Sequence, residues 1–173
     1  MVRLVTGGTG FIGRHLLRAL ARRDGETYVL VRPSSRAALE GYIASLGAHS
    51  MKAIAGDITQ PMLGLNAEDR ARLKGADIFH LAAVYDLEAA VESNERANVE
   101  GTRSVVELAQ SVGARLHHMS SIAVAGGAWK GKFTEEMFAE ARSSTTRTTA
   151  RSTKRSAWCA SRASATASTG PAW

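Results

Sequence analysis

The chain has 173 residues, of which 45% are hydrophobic and 22% charged, with one cysteine and a formal net charge of +6. This length predicts one α/β domain with a buried core, and no run approaches the ~20 apolar residues that span a bilayer. The lone Cys159 excludes an internal disulfide framework, and residues 2–6 show no signal-peptide layout. We therefore expect a cytoplasmic protein without a membrane segment.

The excess positive charge is confined to the last part of the sequence. Residues 141–173 hold six of the 22 basic side chains and no acidic one, so residues 1–140 carry 16 of each sign. Ser, Thr and Ala fill 22 of the positions in 141–173, which leaves too little apolar surface to offset the entropy of ordering. We predict a folded domain over 1–140 and a disordered basic tail over 141–173.

Strand-like and helix-like segments alternate along residues 1–140. The predicted strands are Val2–Thr6, Thr27–Val31, Met51–Ala55, Asp77–Ala82 and Arg115–Ser120. The predicted helices are Phe11–Arg23, Ser34–Leu46, Asn66–Lys74 and Glu92–Val112. This alternation implies right-handed crossovers and a parallel sheet covered on both faces. The expected fold is a Rossmann-type, doubly wound α/β domain with about five strands in the order 3-2-1-4-5.

A glycine-rich turn, Gly7-x-x-Gly10-x-x-Gly13, joins the first strand to the first helix. A side chain at Gly7 would block the tight turn, one at Gly10 would obstruct a pyrophosphate, and Gly13 lets the helix approach the strand. The helix N-terminus adds unpaired N–H groups and a positive dipole end. The strand–turn–helix context favours dinucleotide binding over a purely structural glycine turn.

The end of the second predicted strand bears on which dinucleotide binds. An acidic residue there holds a ribose 2′-hydroxyl, whereas an arginine accommodates a 2′-phosphate. This strand ends in Val31-Arg32-Pro33, followed by Arg36, and no acid occurs before Glu40. We expect Arg32 and Arg36 to favour NADP, with NAD as the alternative if the arginine simply reaches solvent.

Five segments together resemble the extended short-chain dehydrogenase/reductase family, in family order over most of residues 2–126. They are Thr-Gly-Gly-Thr-Gly-Phe-Ile-Gly (residues 6–13), Gly56-Asp57-Ile58, His80-Leu81-Ala82-Ala83, Asn98-Val99-Glu100-Gly101-Thr102 and Ser120-Ser121-Ile122-Ala123-Val124-Ala125-Gly126. The Val-Arg-Pro strand end and the His-Met-Ser-Ser segment (118–121) look more like the fatty-acyl and thioester reductase branch than the sugar-nucleotide branch.

The resemblance implies a set of cofactor-binding residues, which includes the turn and extends to other strand ends. The set is Gly7, Thr9, Gly10, Phe11, Ile12, Gly13, Arg32, Arg36, Asp57, Ile58, Leu81, Ala82, Ala83 and Asn98. Asp57 and Ile58 would contact the adenine, and residues 81–83 would line the cofactor near its ribose and nicotinamide. Asn98 would face the same groove. A capping role for Asp57 and a small-residue packing strip at 82–83 remain alternatives.

The resemblance also implies a catalytic hydroxyl at Ser121, five residues before Gly126. A hydroxyl there can donate a hydrogen bond to a substrate oxygen as charge develops. The adjacent His117 and His118 would point to opposite faces of a strand, so we interpret them as structural or surface residues and expect no metal site.

The family's Tyr-x-x-x-Lys pair is absent, since the tyrosines are Tyr28, Tyr42 and Tyr85 and none is followed by lysine at that spacing. The tyrosine would exchange a proton with the substrate, and the lysine would lower the tyrosine pKa. One permissible codon choice for residues 145–162 encodes Tyr-His-Arg-Thr-Lys in another reading frame. We therefore interpret 141–173 as a frameshifted tail and the domain as incomplete.

These patterns predict an NADP-dependent oxidoreductase acting on a small carbonyl, alcohol or acyl-thioester substrate, with a chain inactive for lack of the Tyr-Lys pair. The alternatives are a nucleotide-sugar epimerase or dehydratase and a non-catalytic dinucleotide-binding redox sensor. We expect no nucleic-acid partner. The alternative is that residues 141–173 are a native basic tail and not a frameshifted one, in which case they would bind nucleic acid through its phosphates. The resemblance implies a dimer for the intact family, and we do not expect this incomplete chain to dimerise.

Overall fold

The computed structural model describes residues 1–83, 96–120 and 134. The strands are β1 (Val2–Thr6), β2 (Glu26–Val31), β3 (Met51–Ala55), β4 (Asp77–His80) and β5 (Arg115–His118). The helices in the described ranges are α1 (Phe11–Leu20), α2 (Arg36–Ser45), α3 (Ala67–Arg72) and α4 (Gly101–Val112). Short 3-10 turns occur at Pro33–Ser35 and Pro61–Gly64, and a π turn at Arg96–Glu100.

The chain divides into two units, residues 1–83 with 104–119 and residues 84–103 with 120–173. The first unit contains the five described strands, in the order β3-β2-β1-β4-β5, and each neighbouring pair of them is parallel. The predicted strand order is confirmed. Thr6 pairs with Leu30 on one side and His80 on the other, so the carboxyl ends of β1, β2 and β4 meet at one edge of the sheet.

Alternating residues of the strands enter two hydrophobic clusters, as expected of a sheet buried on both faces. The first cluster joins strand residues to α4 and to the loops around α3: Leu4, Tyr28, Leu30, Ile54, Ile78, Leu63, Leu73, Val105 and Leu108. The second joins strand residues to α1 and α2: Val5, Val29, Val31, Leu17, Leu20, Leu39 and Ile43. Burial of each such side chain contributes about 1.5–3 kcal/mol, and the second cluster supports the helix that follows the glycine turn.

Several helix boundaries differ from those predicted. The first helix ends at Leu20 rather than Arg23, because a turn closed by the Arg23 N–H on the Leu20 carbonyl follows it. Pro33 begins a separate 3-10 turn, so α2 starts only at Arg36. The third helix starts after Asn66, whose side chain accepts from the Asp69 N–H at 2.8 Å, and it ends at Arg72.

The predicted helix Glu92–Val112 and strands Asp77–Ala82 and Arg115–Ser120 also differ. Residues 92–95 lie outside the described ranges, and α4 begins at Gly101 after the π turn. The fourth strand ends at His80, since the Ala82 N–H donates to the side chain of Thr6 instead of to a backbone carbonyl of the neighbouring strand. The fifth ends at His118.

No helix within the described ranges is long and apolar enough to cross a membrane. The predicted tail, 141–173, lies outside those ranges, and its disorder stays a prediction.

Candidate dinucleotide-binding site

The glycine turn lies where β1 ends and α1 begins. The Gly10 N–H donates to the Gly7 carbonyl at 3.1 Å, and the Arg14 N–H donates to the Gly10 carbonyl at 2.9 Å. Gly10 is the N-cap of α1, no side chain caps the helix, and its first turn contains no acidic residue. The first N–H groups of a helix have no intrahelical acceptor, so this N-terminus is suited to bind an anion.

Close backbone contacts fix the position of the turn. Gly7 has φ +75°, and a Cβ on it would lie 2.6 Å from the Ala82 nitrogen. A Cβ on Gly13 would overlap the Gly7 carbonyl oxygen, and one on Gly8 would lie 2.5 Å from a methyl group of Val29. Around Gly10, by contrast, the nearest atom is the Gly7 oxygen at 3.4 Å. The turn is therefore held against β2 and the end of β4, and among the described residues the position beside Gly10 is less crowded than those beside Gly7, Gly8 and Gly13. In dinucleotide-binding folds the backbone at this glycine approaches the pyrophosphate.

Thr6 and His80 form a buried polar pair beneath the turn. The Thr6 Oγ1 and His80 Nδ1 atoms are 2.7 Å apart, and the Ala82 N–H donates to the same Thr6 oxygen at 3.3 Å. Thr6 is 0% and His80 1% exposed, and the His118 ring stacks on His80 with centroids 5.4 Å apart. This hydroxyl thus joins the last residue of β1 to the segment that leaves β4.

Phe11 and Ile12 place apolar surface at the start of α1. Their exposed fractions are 81% and 51%, and the Phe11 ring meets His15 edge to face at 4.8 Å. Apolar side chains exposed together can be covered by a ligand, and the cofactor role of Phe11 and Ile12 stays a prediction.

Asp57 follows β3 and stabilises its own loop. Its Oδ1 accepts from both the N–H and the hydroxyl of Thr59, at 2.9 and 2.8 Å, and its N–H donates to the Leu63 carbonyl. These bonds close a turn within the loop and do not cap a helix, since the Pro61–Gly64 turn has Gln60 as its N-cap and no side-chain cap. Ile58 is half-buried against the first cluster. Contact of Asp57 and Ile58 with an adenine stays a prediction.

The arginines after β2 are both exposed. Arg32 precedes the Pro33–Ser35 turn in extended conformation, and its carbonyl accepts from the Ser35 N–H. The Arg36 Nε lies 2.7 Å from the carboxylate of Glu40, one turn further along α2. Arg32 is thus placed at the edge of the sheet where the glycine turn lies. The positive charge of Arg36 is partly neutralised by the carboxylate of Glu40.

The other predicted cofactor residues divide between the two units. Leu81 and Ala82 are half-buried and Ala83 is exposed. Asn98, in the second unit, is buried, and its carbonyl accepts from the Thr102 hydroxyl at 2.8 Å. Ser121 lies outside the described residues, so its predicted catalytic role remains untested.

His117 and His118 make different contacts, in keeping with adjacent residues on a strand. The His117 ring stacks on Phe79 with centroids 4.6 Å apart, and its Nε2 lies 2.8 Å from Asp77 Oδ1. His118 instead packs on His80. Within residues 1–83, 96–120 and 134, no group of three His, Cys, Asp or Glu side chains is arranged to hold a metal ion.

Sequence reasoning missed the contacts of Thr6, His80, Arg14 and Tyr42. Thr6 and His80 were inside the quoted motifs, but their pairing follows only from the register of β1 with β4. Arg14 follows Gly13 directly, and its guanidinium carbon lies 5.1 Å from the centre of the Tyr42 ring on α2. In the sequence, the position of Arg14 directly after the last glycine of the turn was the one feature that indicated a role in the site.

Comparison with known proteins shows what this arrangement is similar to. The model of an NAD-binding family described as "Male sterility protein" matches residues 5–163. A ceramide reductase of Caulobacter vibrioides (strain NA1000 / CB15N) is 37% identical over 120 residues, which are 69% of this chain and 34% of that protein.

Two solved structures share the fold. The terminal R domain from the myxalamid PKS-NRPS biosynthetic pathway has a TM-score of 0.71 at 28% identity, over 93% of this chain and 46% of that one. A UDP-galactose 4-epimerase has a TM-score of 0.73 at 27% identity, over 95% of this chain and 52% of that one. The chain thus spans about a third to a half of these relatives.

The Gly7→Ala variant should lose both stability and dinucleotide binding. The new Cβ would meet the Ala82 backbone, and a left-handed conformation costs alanine about 1–2 kcal/mol. Gly41→Ala is the matched control, because a Cβ there meets nothing within 4 Å and alanine favours a helix interior by ~1 kcal/mol. Urea unfolding measures the stability of both variants, and titration with NADPH measures their dinucleotide binding. Equal stability of the two variants would contradict the close approach.

The Thr6→Val variant should destabilise the domain by about 1–3 kcal/mol, because the Ala82 N–H and His80 Nδ1 both lose their shared hydroxyl in a buried site. Thr6→Ser retains the hydroxyl and should unfold within ~1 kcal/mol of the wild type. Urea denaturation compares them. Equal stability of the Thr6→Val and Thr6→Ser variants would contradict a structural role for the Thr6–His80 pair.

Proposed function

Because the chain belongs to the NAD-binding family described as "Male sterility protein", within the extended short-chain dehydrogenases/reductases, we propose that it is the NADP-binding part of a reductase. The observation that carries the proposal is the turn between β1 and α1. Its uncapped helix N-terminus, its lack of acidic residues and its less crowded position beside Gly10 suit a nucleotide diphosphate.

In this proposal the first amides of α1 donate to the diphosphate oxygens, and Phe11 and Ile12 are covered by the bound nucleotide. Thr6 and His80 keep the turn in place before ligand arrives, so little ordering entropy is lost on binding. The bound NADPH supplies the hydride. Ile58 and the segment Leu81–Ala83 are proposed to line the nucleotide further along the sheet edge.

Arg32 is proposed to bind the 2′-phosphate that distinguishes NADP from NAD. It is exposed, it follows β2 directly, and the sequence places no carboxylate there to hold a 2′-hydroxyl. A guanidinium binds phosphate in a planar, bidentate manner. The family match supports a nicotinamide dinucleotide, and Arg32 favours its phosphorylated form.

The substrate is proposed to be a small carbonyl, alcohol or acyl-thioester compound in the cytoplasm. Support comes from relatives named as a ceramide reductase and a terminal R domain. The Ser121 hydroxyl would donate to the substrate oxygen, and Asn98 would help to line the groove. An epimerase activity is the second candidate, favoured by the similarity to UDP-galactose 4-epimerase.

This chain is proposed to bind cofactor with little turnover, because it carries no Tyr-x-x-x-Lys pair. The two described tyrosine hydroxyls donate within the protein, that of Tyr28 to Glu26 at 2.8 Å and that of Tyr42 to the Arg14 carbonyl at 3.1 Å. Proton transfer to a substrate oxygen by a positioned side chain typically contributes about 10²–10⁴-fold in rate, which this chain would lack.

The Arg32→Gln variant should weaken NADPH binding about 10-fold, because a charge-assisted phosphate contact is lost, and leave NADH binding unchanged. Calorimetric titration of the full chain with each coenzyme measures this. Arg22→Gln, at an exposed site two residues after α1 ends, is the control. NADPH affinity that is unaffected by Arg32→Gln would contradict the assignment of the 2′-phosphate.

Wild-type chain mixed with NADPH and an aldehyde or thioester should bind the coenzyme without oxidising it, as followed by the absorbance of reduced nicotinamide. Oxidation well above the rate without protein would show that the chain has a proton donor that we have not identified. Failure to bind either coenzyme, with a cooperative unfolding transition still present, would overturn the proposed function itself.

A further inference from the structure

Arg14 lies on the first turn of α1, and its side chain reaches back over the glycine turn. The Arg14 Nε donates to the Thr9 carbonyl at 3.3 Å, and the guanidinium carbon lies 5.1 Å from the centre of the Tyr42 ring. A cation at this distance from an aromatic face is attracted by it. The guanidinium is therefore held between the turn and α2, although the residue is exposed.

Tyr42 contacts both the backbone and the side chain of Arg14. Its hydroxyl donates to the Arg14 carbonyl at 3.1 Å, while its ring carries the guanidinium. Tyr42 is half-buried and packs against the second hydrophobic cluster. The Tyr42 ring is thus supported by the core and holds the Arg14 side chain in one conformation. Without this contact, the Arg14 side chain would lose more conformational entropy on binding a ligand.

The guanidinium retains donors for a ligand. Arginine has five N–H donors in a planar fork, and Arg14 uses its Nε on Thr9. Its Nη atoms donate no hydrogen bond to the part of the chain that the structure describes. Two terminal nitrogens presented side by side are the arrangement that binds phosphate oxygens in a bidentate manner.

The turn and Arg32 share one edge of the sheet. The last residue of β1, Thr6, pairs with Leu30 of β2, and a Cβ on Gly8 would touch Val29. The turn therefore lies on β2, three residues before Arg32. The Arg14 side chain contacts Thr9 and the Tyr42 ring of α2, the helix that follows Arg32 in the chain.

We propose that Arg14 is a second cation for the 2′-phosphate of NADP, and that Tyr42 is the positioning residue that holds its guanidinium in place. This rests on the proposed function, since it names the residues that select the phosphorylated coenzyme at the same site. Two guanidinium groups, one after β2 and one on α1, would then bind opposite sides of one phosphate.

Arg36 is the competing second cation, and its contact with Glu40 counts against it. The two side chains form an ion pair at 2.7 Å, with about half of each exposed. The carboxylate cancels part of the positive potential and would repel a dianionic phosphate. For Arg14, the described contacts are a carbonyl oxygen and an aromatic ring, neither of which carries a full negative charge.

The test is calorimetric titration of the full chain and its variants with NADPH, NADH, 2′,5′-ADP and 5′-AMP. Arg14→Gln should weaken the binding of NADPH and of 2′,5′-ADP about 10-fold. Its affinities for NADH and 5′-AMP should stay within about 2-fold of those of the wild type. Arg18→Gln, also exposed and one turn further along α1, is the matched control and should change none of the four affinities.

Tyr42 variants separate the ring from the hydroxyl. Tyr42→Phe retains the ring under the guanidinium and should keep most of the preference for NADPH over NADH. Tyr42→Leu removes the ring and should lose the preference about 3- to 10-fold, the equivalent of a cation–π contact. Thermal unfolding of each variant identifies any that has lost its fold, and Arg14→Gln, at an exposed position, should melt as the wild type does.

The outcomes separate the two proposals. Equal weakening of NADPH and NADH by Arg14→Gln would overturn the specificity role and leave the proposed function standing, with Arg14 as a diphosphate contact. Unchanged NADPH affinity in Arg14→Gln combined with a loss in Arg36→Gln would assign the role to Arg36 instead. A folded wild-type chain that binds none of the four ligands would overturn both proposals.

Discussion

The geometry of the site depends on the close contact between the backbone of Gly7 and that of Ala82. A side chain on Gly7 would lie within 2.6–2.9 Å of three backbone atoms of residues 81 and 82, and backbone atoms cannot move aside as a flexible side chain can. This contact brings the end of β1 against the segment that leaves β4. It directs the chain into α1 at the carboxyl edge of the sheet, where the helix N-terminus faces outward. The anion-binding character of the site depends on it.

Packing on both faces of the sheet keeps that contact in place. Leu17 is fully buried beneath the turn, and a Cβ on Gly8 would lie 3.2 Å from its Cδ1, so α1 cannot tilt without opening a cavity. Such a cavity in a core costs several kcal/mol, about 2–5 for a leucine truncated to alanine. Thr6 and His80 add a buried hydrogen bond at the same point. Apolar packing thus positions the helix, and one polar pair joins the turn to β4.

The sequence predicted the sheet well and the side-chain contacts of the site poorly. Alternating strands and helices imply the order 3-2-1-4-5, because right-handed crossovers leave few other topologies, and the structure confirms it. The end of β4 was missed, since the Ala82 N–H turns to Thr6 across 76 residues of sequence. Periodicity places Arg14 on the polar face of α1 but says nothing about Tyr42, 28 residues away. Of the predicted site, the glycine turn has the backbone geometry expected of it. Asp57 closes a turn on Thr59, and Ser121 lies outside the described residues.

The most direct test of this account is an NMR titration of the isotope-labelled full chain with NADPH. The account predicts saturable shifts that are largest at the backbone amides of residues 8–14, where the turn enters α1. It predicts much smaller shifts at the amino ends of the strands, such as Val2 and Glu26, at the opposite edge of the sheet. A dispersed spectrum in which the amides of 8–14 do not respond to NADPH would contradict the central claim that this turn binds a dinucleotide diphosphate.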